Sequence, residues 1–394
     1  MRVLQKLHRN LISLAKVALT DEPIITDDGL DYNELLKLSV EHHIVPLIFQ
    51  GLYKTKKDFD SFKTFRSYTL QLIIRDHNQV EGLKKVEQIF TENGIDYMLL
   101  KGVSVKRFYS SSEFRLMGDV DILIKEAQYD KIKPLMYSIG FREKSESDHE
   151  LIWMNGQRVI VELHKKLIPS YNDDYYSYYR NPWEKASNKD NCRFSMTPED
   201  EYIYIFTHLT KHYRDGGIGL RHLIDIWLFN KNYPSLDMEY INNELDKLEL
   251  TEFHKNILET LEVWFNGKDD TELSDYITER VISSGSFGLK EMHASASAAR
   301  ASAKTSSVSS AKRNSYIKVI FPSLATMKQH FSILTKYPFL LPFMWIVRWF
   351  NILVHKRGSI TNKASQLSQI NEETIDSYNE DLEKVGLKFN LKKK

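Results

Sequence analysis

The sequence contains little cysteine and has little net charge. Only Cys192 is a cysteine among 394 residues, so an internal disulfide and a zinc site built from cysteines are both excluded. Cysteine usage of this kind predicts a cytoplasmic protein. The formal net charge is +1, so no global field draws the chain to nucleic acid or to an anionic membrane, although a local basic groove stays open.

The sequence also lacks a hydrophobic run long enough to cross a bilayer, which takes about 20 apolar residues. The most hydrophobic segment is 339–354, and it contains Pro342 and Arg348. We expect a packing helix there; the alternative is an interfacial helix that makes peripheral contact with a membrane or a partner, with Lys356 and Arg357 at its end. Residues 4–19 are interrupted by polar side chains, which predicts an amphipathic helix and not a signal peptide.

The spacing of hydrophobic residues changes along the chain. The length of the chain suggests roughly two to three domains. Helical spacing dominates residues 1–93, where Leu70, Ile74, Leu83 and Phe90 belong to one long predicted helix. The changes predict five regions: an N-terminal helical region (1–93), a sheet-containing core (94–195), a second helical domain (196–290), a flexible linker rich in Ala and Ser (291–315) and a C-terminal helical region (316–394). The alternative for the linker is a helix, because alanine has high helix propensity.

The core has the pattern of alternating strands and helices. Strands are predicted at 95–100, 115–124, 151–154 and 159–163, a helix at 127–138 and a turn at Asn155-Gly156. This order predicts the α+β class: a small mixed β-sheet with helices on one side, flanked by N-terminal and C-terminal helical regions.

Residues 117–124 (MGDVDILI) hold the most informative pattern. Asp119 and Asp121 are separated by one residue in a run that otherwise has the composition of a buried strand. Because strand side chains alternate, both aspartates point to one face while Val120 and Ile122 point into the core. Two neighbouring carboxylates repel each other unless a cation lies between them, and hard divalent ions bind oxygen ligands of this kind. The alternative is a turn-capping Asp119 and a surface Asp121.

A glycine turn and a third acid accompany this pair. In residues 99–104 (LLKGVS) a predicted strand is followed by Gly102 and the start of a helix; glycine lets backbone amides approach a phosphate, and a helix N-terminus favours negative charge. Glu162 lies in a later strand, where an acid is costly unless it is paired or bound to a metal. Together these residues predict nucleotidyl transfer, in which metal ions hold a triphosphate and activate an acceptor hydroxyl.

The pieces LKG, RLMGDVDILI and VELH, in this order, resemble the DNA-polymerase-beta-like nucleotidyltransferase superfamily. More closely, they are similar to its bacterial family of uncharacterised nucleotidyltransferases. The resemblance covers roughly residues 30–350 and includes Tyr337-Pro338 and the stretch 341–348 (LPFMWIVR). It implies Mg²⁺-dependent (or Mn²⁺-dependent) transfer of a nucleoside monophosphate from a nucleoside triphosphate such as ATP. It also implies that 94–195 is the catalytic core and that 196–290 completes the nucleotide pocket.

The resemblance also implies roles for individual residues. Asp119, Asp121 and Glu162 are the implied catalytic and metal-binding residues, and the nucleotide-binding set is Lys101, Gly102, Ser104, Arg115, Gly118, His164, Arg221 and Asp225. The turn Gly102-Val103-Ser104 departs from the Gly-Ser or Gly-Gly turn that is commonest in the superfamily.

Arg221 and Asp225 lie in a stretch that looks like the (K/R)-D/H-L-x-D-(I/L) helix of abortive-infection and toxin-type nucleotidyltransferases, where it borders the nucleotide pocket. The alternative is a surface ion pair, because residues four apart share a helical face. His208 and His212 have the same spacing and offer two zinc ligands, but no third ligand is evident. We therefore expect ordinary helix histidines or pocket-lining residues.

The sequence thus predicts a nucleotidyltransferase whose acceptor is a hydroxyl on a small molecule, a protein or a tRNA end. The alternatives are a module that binds nucleotide without turnover, a toxin-type enzyme that acts on tRNA or protein, and a phosphohydrolase or kinase that uses the same metals. The near-neutral charge weakens the case for a long nucleic acid, since phosphate contacts dominate that affinity.

Overall fold

A computed structural model describes residues 2–20, 22, 30–56, 58–147, 149–170, 172–286, 333–355 and 372–388, with scattered positions between 288 and 331. Its strands are β1 Tyr97–Leu99, β2 Val120–Ile124, β3 Arg142–Glu146, β4 Glu150–Met154, β5 Ile160–His164, β6 Ala186–Asp190 and β7 Arg193–Met196. Its helices are α1 Arg2–Leu19, α2 Tyr32–Glu41, α3 Val45–Thr55, α4 Phe62–Glu92, α5 Lys101–Val105, α6 Tyr129–Ser138, α7 Asp173–Tyr176, α8 Pro198–Asp215, α9 Leu220–Asn232, α10 Met238–Lys247, α11 Thr251–Asn266, α12 Glu272–Ser284, α13 Ile333–Lys336, α14 Leu341–His355 and α15 Glu372–Lys384.

The seven strands form one mixed sheet in the order β3-β4-β5-β2-β1-β7-β6. β2 pairs antiparallel with β1 and parallel with β5, while β1 pairs parallel with β7. The two outer hairpins, β3-β4 and β6-β7, are antiparallel. The predicted α+β class with a mixed sheet is confirmed.

The two faces of the sheet differ as the strand alternation predicts. Val120, Ile122 and Ile124 of β2 are buried in a cluster with apolar residues of α4 and α6, among them Val86 and Met136. The opposite face carries Asp121 and packs against the larger core, which is built by α1–α3 together with the helices from α8 onward; the residues of the sheet in this core include Met98, Leu100 and Leu123. One face of the sheet is therefore covered by α4 and α6, and the other carries Asp121 beside the larger core.

The predicted strand over 115–124 is too long, because residues 115–119 form a loop. The backbone N–H of Arg115 donates to Ser112 and that of Met117 donates to the Asp76 carboxylate of α4. The Gly118 carbonyl accepts a bond from Gln79. These groups are bonded to a turn and to a helix and do not join the sheet ladder, so the strand begins at Val120.

Three strands, β3, β6 and β7, are not predicted by the sequence. β3 and β6 are the edge strands, and their sequences, REKSE and ASNKD, have no apolar alternation because an edge strand buries few side chains. In the long helix α4, the predicted apolar face is wrong at its N-terminal half. Leu70 and Ile74 are exposed there, whereas Asp76 and Gln79 are buried.

Helices α8 to α12 lie within the region 196–290, for which the sequence predicts helices. Of the predicted linker 291–315, only His293, Ala296 and Ala299 are described; they are helical and the two alanines are buried, and the rest lies outside the described residues. The division into five regions stays a prediction. Among the described helices, none is both long enough and apolar enough to span a bilayer.

We expect Trp153→Ala in β4 to lower the free energy of unfolding by about 3–5 kcal/mol, because the indole is fully buried in the cluster between the sheet, α4 and α6. Chemical denaturation followed by circular dichroism measures the loss. Ile74→Ala is the control; its side chain is exposed, and we expect a change within about 0.5 kcal/mol. Similar effects of the two substitutions would contradict the assigned packing.

Candidate active site

Three polar side chains meet where β2 and β5 pair. In the parallel register Asp121 lies opposite Glu162, and Leu123 lies opposite His164. Ligand atoms of Asp121, Glu162 and His164 all lie within 4.8 Å of one another. Asp119 directly precedes β2 and is half-buried beside them. The strand pairing therefore brings together acids that are about forty residues apart in sequence.

Asp121 is buried and has two close partners. Its Oδ1 accepts bonds from Lys101 Nζ at 2.6 Å and from His164 Nε2 at 2.7 Å. Burial alone would raise the pKa of Asp121, but Lys101 and His164 outweigh it and hold the pKa below its ordinary value. Lys101 has a left-handed backbone (φ +50°), which costs of order 1 kcal/mol for a residue with a Cβ.

For the other two acids, Glu162 and Asp119, neighbouring cations do not outweigh the effect of burial and repulsion on the pKa. Burial and the negative charges of Asp121 and Asp119 raise the pKa of Glu162 to about 8. Burial and Asp121 raise the pKa of Asp119 to about 6, although Lys101 and Arg221 act in the opposite direction. When all three carboxylates are ionised, Lys101 and Arg221 do not neutralise them, and a divalent cation would offset the remaining negative charge.

A fourth acid, Glu150, lies on the next strand and was missed by the sequence analysis. In the antiparallel register of β4 and β5 it faces His164, and its Oε2 is 3.9 Å from His164 Nδ1 and 3.0 Å from His149 Nε2. Because the Asp121 carboxylate only accepts, His164 Nε2 carries the proton in their bond. The remaining nitrogen, His164 Nδ1, is buried without a hydrogen-bond partner among the described residues.

The predicted phosphate turn is formed by the end of β1 and by α5. The Ser104 hydroxyl donates to the Lys101 carbonyl at 3.0 Å. A Cβ on Gly102 would lie 3.4 Å from the Arg115 guanidinium, an ordinary contact, while a Cβ on Gly118 would meet open space. The packing around these two glycines therefore leaves room for a ligand and does not by itself require glycine.

Arg115 and Asp225 form a buried ion pair that the sequence does not predict. Arg115 Nε and Nη2 each donate to Asp225 at 2.8 Å, and the Tyr109 hydroxyl donates to the same carboxylate at 2.8 Å. The alternative of a surface Arg221–Asp225 pair is therefore wrong. Arg221 Nε is buried and lacks a hydrogen-bond partner in the described part of the chain, and burial together with Arg115 lowers the pKa of Arg221 to about 10.

A second buried pair supports the loop that carries Asp119. Lys106 Nζ donates to both Asp76 oxygens at 2.7–2.9 Å and to the Arg115 carbonyl at 2.8 Å. Asp76 also accepts the Met117 N–H bond described above. The signal in the sequence is Asp76, an acid in the middle of a long helix. The predicted apolar face of this helix is wrong there and does not include Asp76, which is buried.

A cavity of about 540 Å³ lies beside Lys101, between β1, α5, β7 and the start of α8. Its lining includes Lys101, Ser104, Arg107, Phe194, Tyr204 and Tyr233. The Tyr204 hydroxyl is buried and has no hydrogen-bond partner within the described residues. One and two turns further along α8, His208 and His212 bond to each other through their Nε2 atoms at 3.1 Å. No third ligand joins these histidines among the described residues.

The sequence pattern of the family described as "Uncharacterised nucleotidyltransferase" matches residues 28–266. The chain belongs to this family. The match contains every residue of the site above and ends before Tyr337-Pro338 and 341–348, so the wider resemblance of those segments stays a prediction. The protein is thus a nucleotidyltransferase.

Two solved structures are similar to this nucleotidyltransferase. The solution structure of the antibiotic-resistance factor ANT(2'')-Ia has 12% sequence identity and a TM-score of 0.32, and the alignment covers 48% of this chain and 97% of that chain. The crystal structure of the Megavirus polyadenylate synthase has 9% identity and a TM-score of 0.29, with 55% of this chain and 40% of that chain covered. No curated protein matches the sequence.

We expect Glu162→Gln to stabilise the metal-free nucleotidyltransferase, because it removes one of the repelling carboxylates and keeps the side-chain shape. The pKa of Glu162 is about 8 in the fold against 4.5 ordinarily, so ionisation opposes folding increasingly as the pH rises from 4.5 to 8. The gain in Tm should be small near pH 4.5 and largest above pH 8, as measured by thermal unfolding in a chelator.

The matched control is Glu126→Gln, which replaces an exposed carboxylate and should leave Tm unchanged at every pH. Equal Tm values for Glu162→Gln and the unmodified protein above pH 8 would contradict the proposed repulsion.

Proposed function

We propose that the protein transfers a nucleoside monophosphate from a nucleoside triphosphate to a hydroxyl acceptor in a Mg²⁺-dependent reaction that releases pyrophosphate. The observation that supports this most is the pairing of Asp121 with Glu162 in register, with Asp119 beside them and Lys101 on Asp121. A nucleotidyltransferase family with such a site has the acids that two-metal phosphoryl chemistry uses.

The carboxylates fit Mg²⁺ or Mn²⁺, because hard cations bind oxygen donors and three acids share one face with an excess of negative charge. Asp119, Asp121 and Glu162 would hold the metal, which supplies charge neutralisation at the phosphates and lowers the pKa of the acceptor hydroxyl. His164 orients Asp121, because its Nε2 proton is held by that carboxylate. Glu162, whose carboxylate lies close to Asp121 and His164, would accept the proton of the acceptor hydroxyl.

The charges divide the site into a donor side and an acceptor side. Lys101 and Arg221 are cationic and lie toward α5 and α9, which favours the triphosphate there, next to the Gly102, Ser104 and Gly118 backbone. The cavity beside Lys101 has a volume in the range typical of small-molecule sites, roughly 300–1,000 Å³. We assign the nucleoside to it. The ion pair of Arg115 and Asp225 connects the loop before β2 to α9.

The acceptor side lies toward β5 and β4, where Glu162, Glu150 and His149 are gathered. A hydroxyl bound there would meet a carboxylate and not a lysine. Its carrier is a small molecule, a protein or a tRNA end. The single cysteine supports a cytoplasmic location for the reaction.

We expect Asp119→Asn and Asp121→Asn each to reduce transfer of an α-labelled nucleotide by more than about 100-fold, which exceeds the 10- to 100-fold typical of residues that only orient a metal ligand. The assay incubates each α-labelled triphosphate with Mg²⁺, the protein and a cell extract, and resolves the labelled product. Asp130→Asn on the surface of α6 is the control and should retain full transfer. Label transferred from the γ and not the α position would show a kinase or phosphohydrolase instead.

We expect Tyr204→Phe to raise the KM for the nucleotide about tenfold, because its buried hydroxyl, which has no partner among the described residues, would otherwise bond to the ligand. Tyr213→Phe is the matched control, since Tyr213 lies on the same helix, is fully buried and likewise lacks a hydroxyl partner in the described part of the chain, but does not line the cavity. Neither change should lower Tm. Equal KM values for both variants would contradict the assignment of the nucleoside to this cavity.

A further inference from the structure

One face of helix α14 has large apolar side chains that are exposed. Phe343, Ile346 and Phe350 follow each other at three- and four-residue steps on this helix, with exposed fractions of 61%, 68% and 68%. Phe339, one turn earlier, is 75% exposed. Apolar residues at this spacing form one continuous stripe, and contiguous exposed stripes mark interaction surfaces.

The opposite face of α14 is held by the preceding segment, which fixes the direction of the stripe. Trp345 Nε1 donates to the Pro322 carbonyl at 2.9 Å and Trp349 Nε1 donates to the Ile320 carbonyl at 3.0 Å. The Phe321 ring packs between these two indoles. Met344 is buried with Met327 and Leu334 in a small cluster of its own. The helix therefore shows its apolar stripe outward because its other side is occupied.

The chain around α14 has an unusual charge distribution. The 80 residues from 292 to 371 contain no Asp or Glu and 11 Lys or Arg residues, which are Arg300, Lys304, Lys312, Arg313, Lys318, Lys328, Lys336, Arg348, Lys356, Arg357 and Lys363. The rest of the chain then has 43 Lys and Arg against 53 Asp and Glu, a net charge of −10. The overall charge of +1 thus conceals a basic segment on an acidic protein.

We propose that this segment docks the protein on an anionic phospholipid bilayer, with Phe343, Ile346 and Phe350 at the level of the lipid headgroups. An apolar stripe combined with net positive charge is the combination that gives stable peripheral binding, since either signal alone is weak. The positive charge of 292–371 comes from the absence of acids, because Lys and Arg are about as frequent there as in the rest of the chain. The acidic remainder is repelled by the same surface, which orients the molecule with α14 toward the lipid.

The charges favour this occupant over two others. A second copy of the chain would bring two strongly basic segments together, which like-charge repulsion opposes. RNA would use the basic residues, but Ile346 at the centre of the stripe cannot stack on a base, whereas it can enter a lipid interface.

The test is flotation of the full-length protein with vesicles of phosphatidylcholine, with or without phosphatidylglycerol. We expect binding to the phosphatidylglycerol vesicles only, and weaker binding as salt screens the charges. Ile346→Glu should reduce the bound fraction about tenfold or more, because it replaces an inserted apolar side chain by a charge. Ile74→Glu is the matched control; Ile74 is 63% exposed on α4, outside the basic segment, and its substitution should have no effect.

Absence of binding to the anionic vesicles, or equal binding by Ile346→Glu, would overturn the proposal. So would retention of a single-stranded RNA, or a dimer in sedimentation, that is lost in Ile346→Glu while vesicles are not bound. The readout needs no nucleotide, so its failure is separate from a failure of the proposed transfer reaction.

Discussion

Repulsion among carboxylates on one face of the sheet is the constraint on which the rest of the site depends. Parallel pairing of β2 and β5 forces Asp121 and Glu162 to face each other, with Asp119 at the strand entrance. Of these three acids, Asp121 has two close partners among the described residues, Lys101 and His164. Lys101, which makes one of these bonds, also has a left-handed backbone. Strained backbone and repelling charges at one place are typical of functional sites.

Two buried ion pairs hold this constrained region in place from opposite directions. Asp76 of α4 and Lys106 fix the loop before β2 from the side of the N-terminal helices. Asp225 of α9 fixes Arg115 of the same loop from the side of the later helices. Buried pairs contribute little net stability compared with apolar residues of equal volume, but removal of one partner is costly. Their evident effect here is to position Asp119 with respect to two helices that are remote in sequence.

Charge also organises the molecule on a larger scale. The acid cluster lies within the part of the chain that carries a net charge of −10, and the basic segment around α14 lies apart from it in sequence. A nucleoside triphosphate approaching an acidic protein meets repulsion unless local cations attract it, so Lys101 and Arg221 matter more than the neutral overall charge suggests. The same asymmetry means that average charge is a poor guide to the partners of this protein.

The sequence alone was sufficient for the α+β class, for the family and for the face that Val120 and Ile122 share, because strand alternation and local motifs depend on neighbours within a few residues. It also placed the turn Asn155-Gly156 between β4 and β5, whose Asn155 side chain caps the hairpin. It did not find the edge strands β3 and β6, because they bury too little apolar surface to leave a pattern. It also predicted the wrong buried face for α4 near Asp76.

Only the tertiary structure determined which residues contact each other when they lie far apart in the sequence. The spacing of Arg221 and Asp225 suggested a helical pair, yet Asp225 bonds to Arg115, which is 110 residues away. Glu150 lies at the site because β4 and β5 pair in a register that places it opposite His164. Tyr204 lines the cavity because α8 packs beside the sheet. A motif determines which chemical groups a segment contains, because these depend only on the local sequence. Which group each one meets depends on how strands align and helices pack, and that is a property of the whole fold.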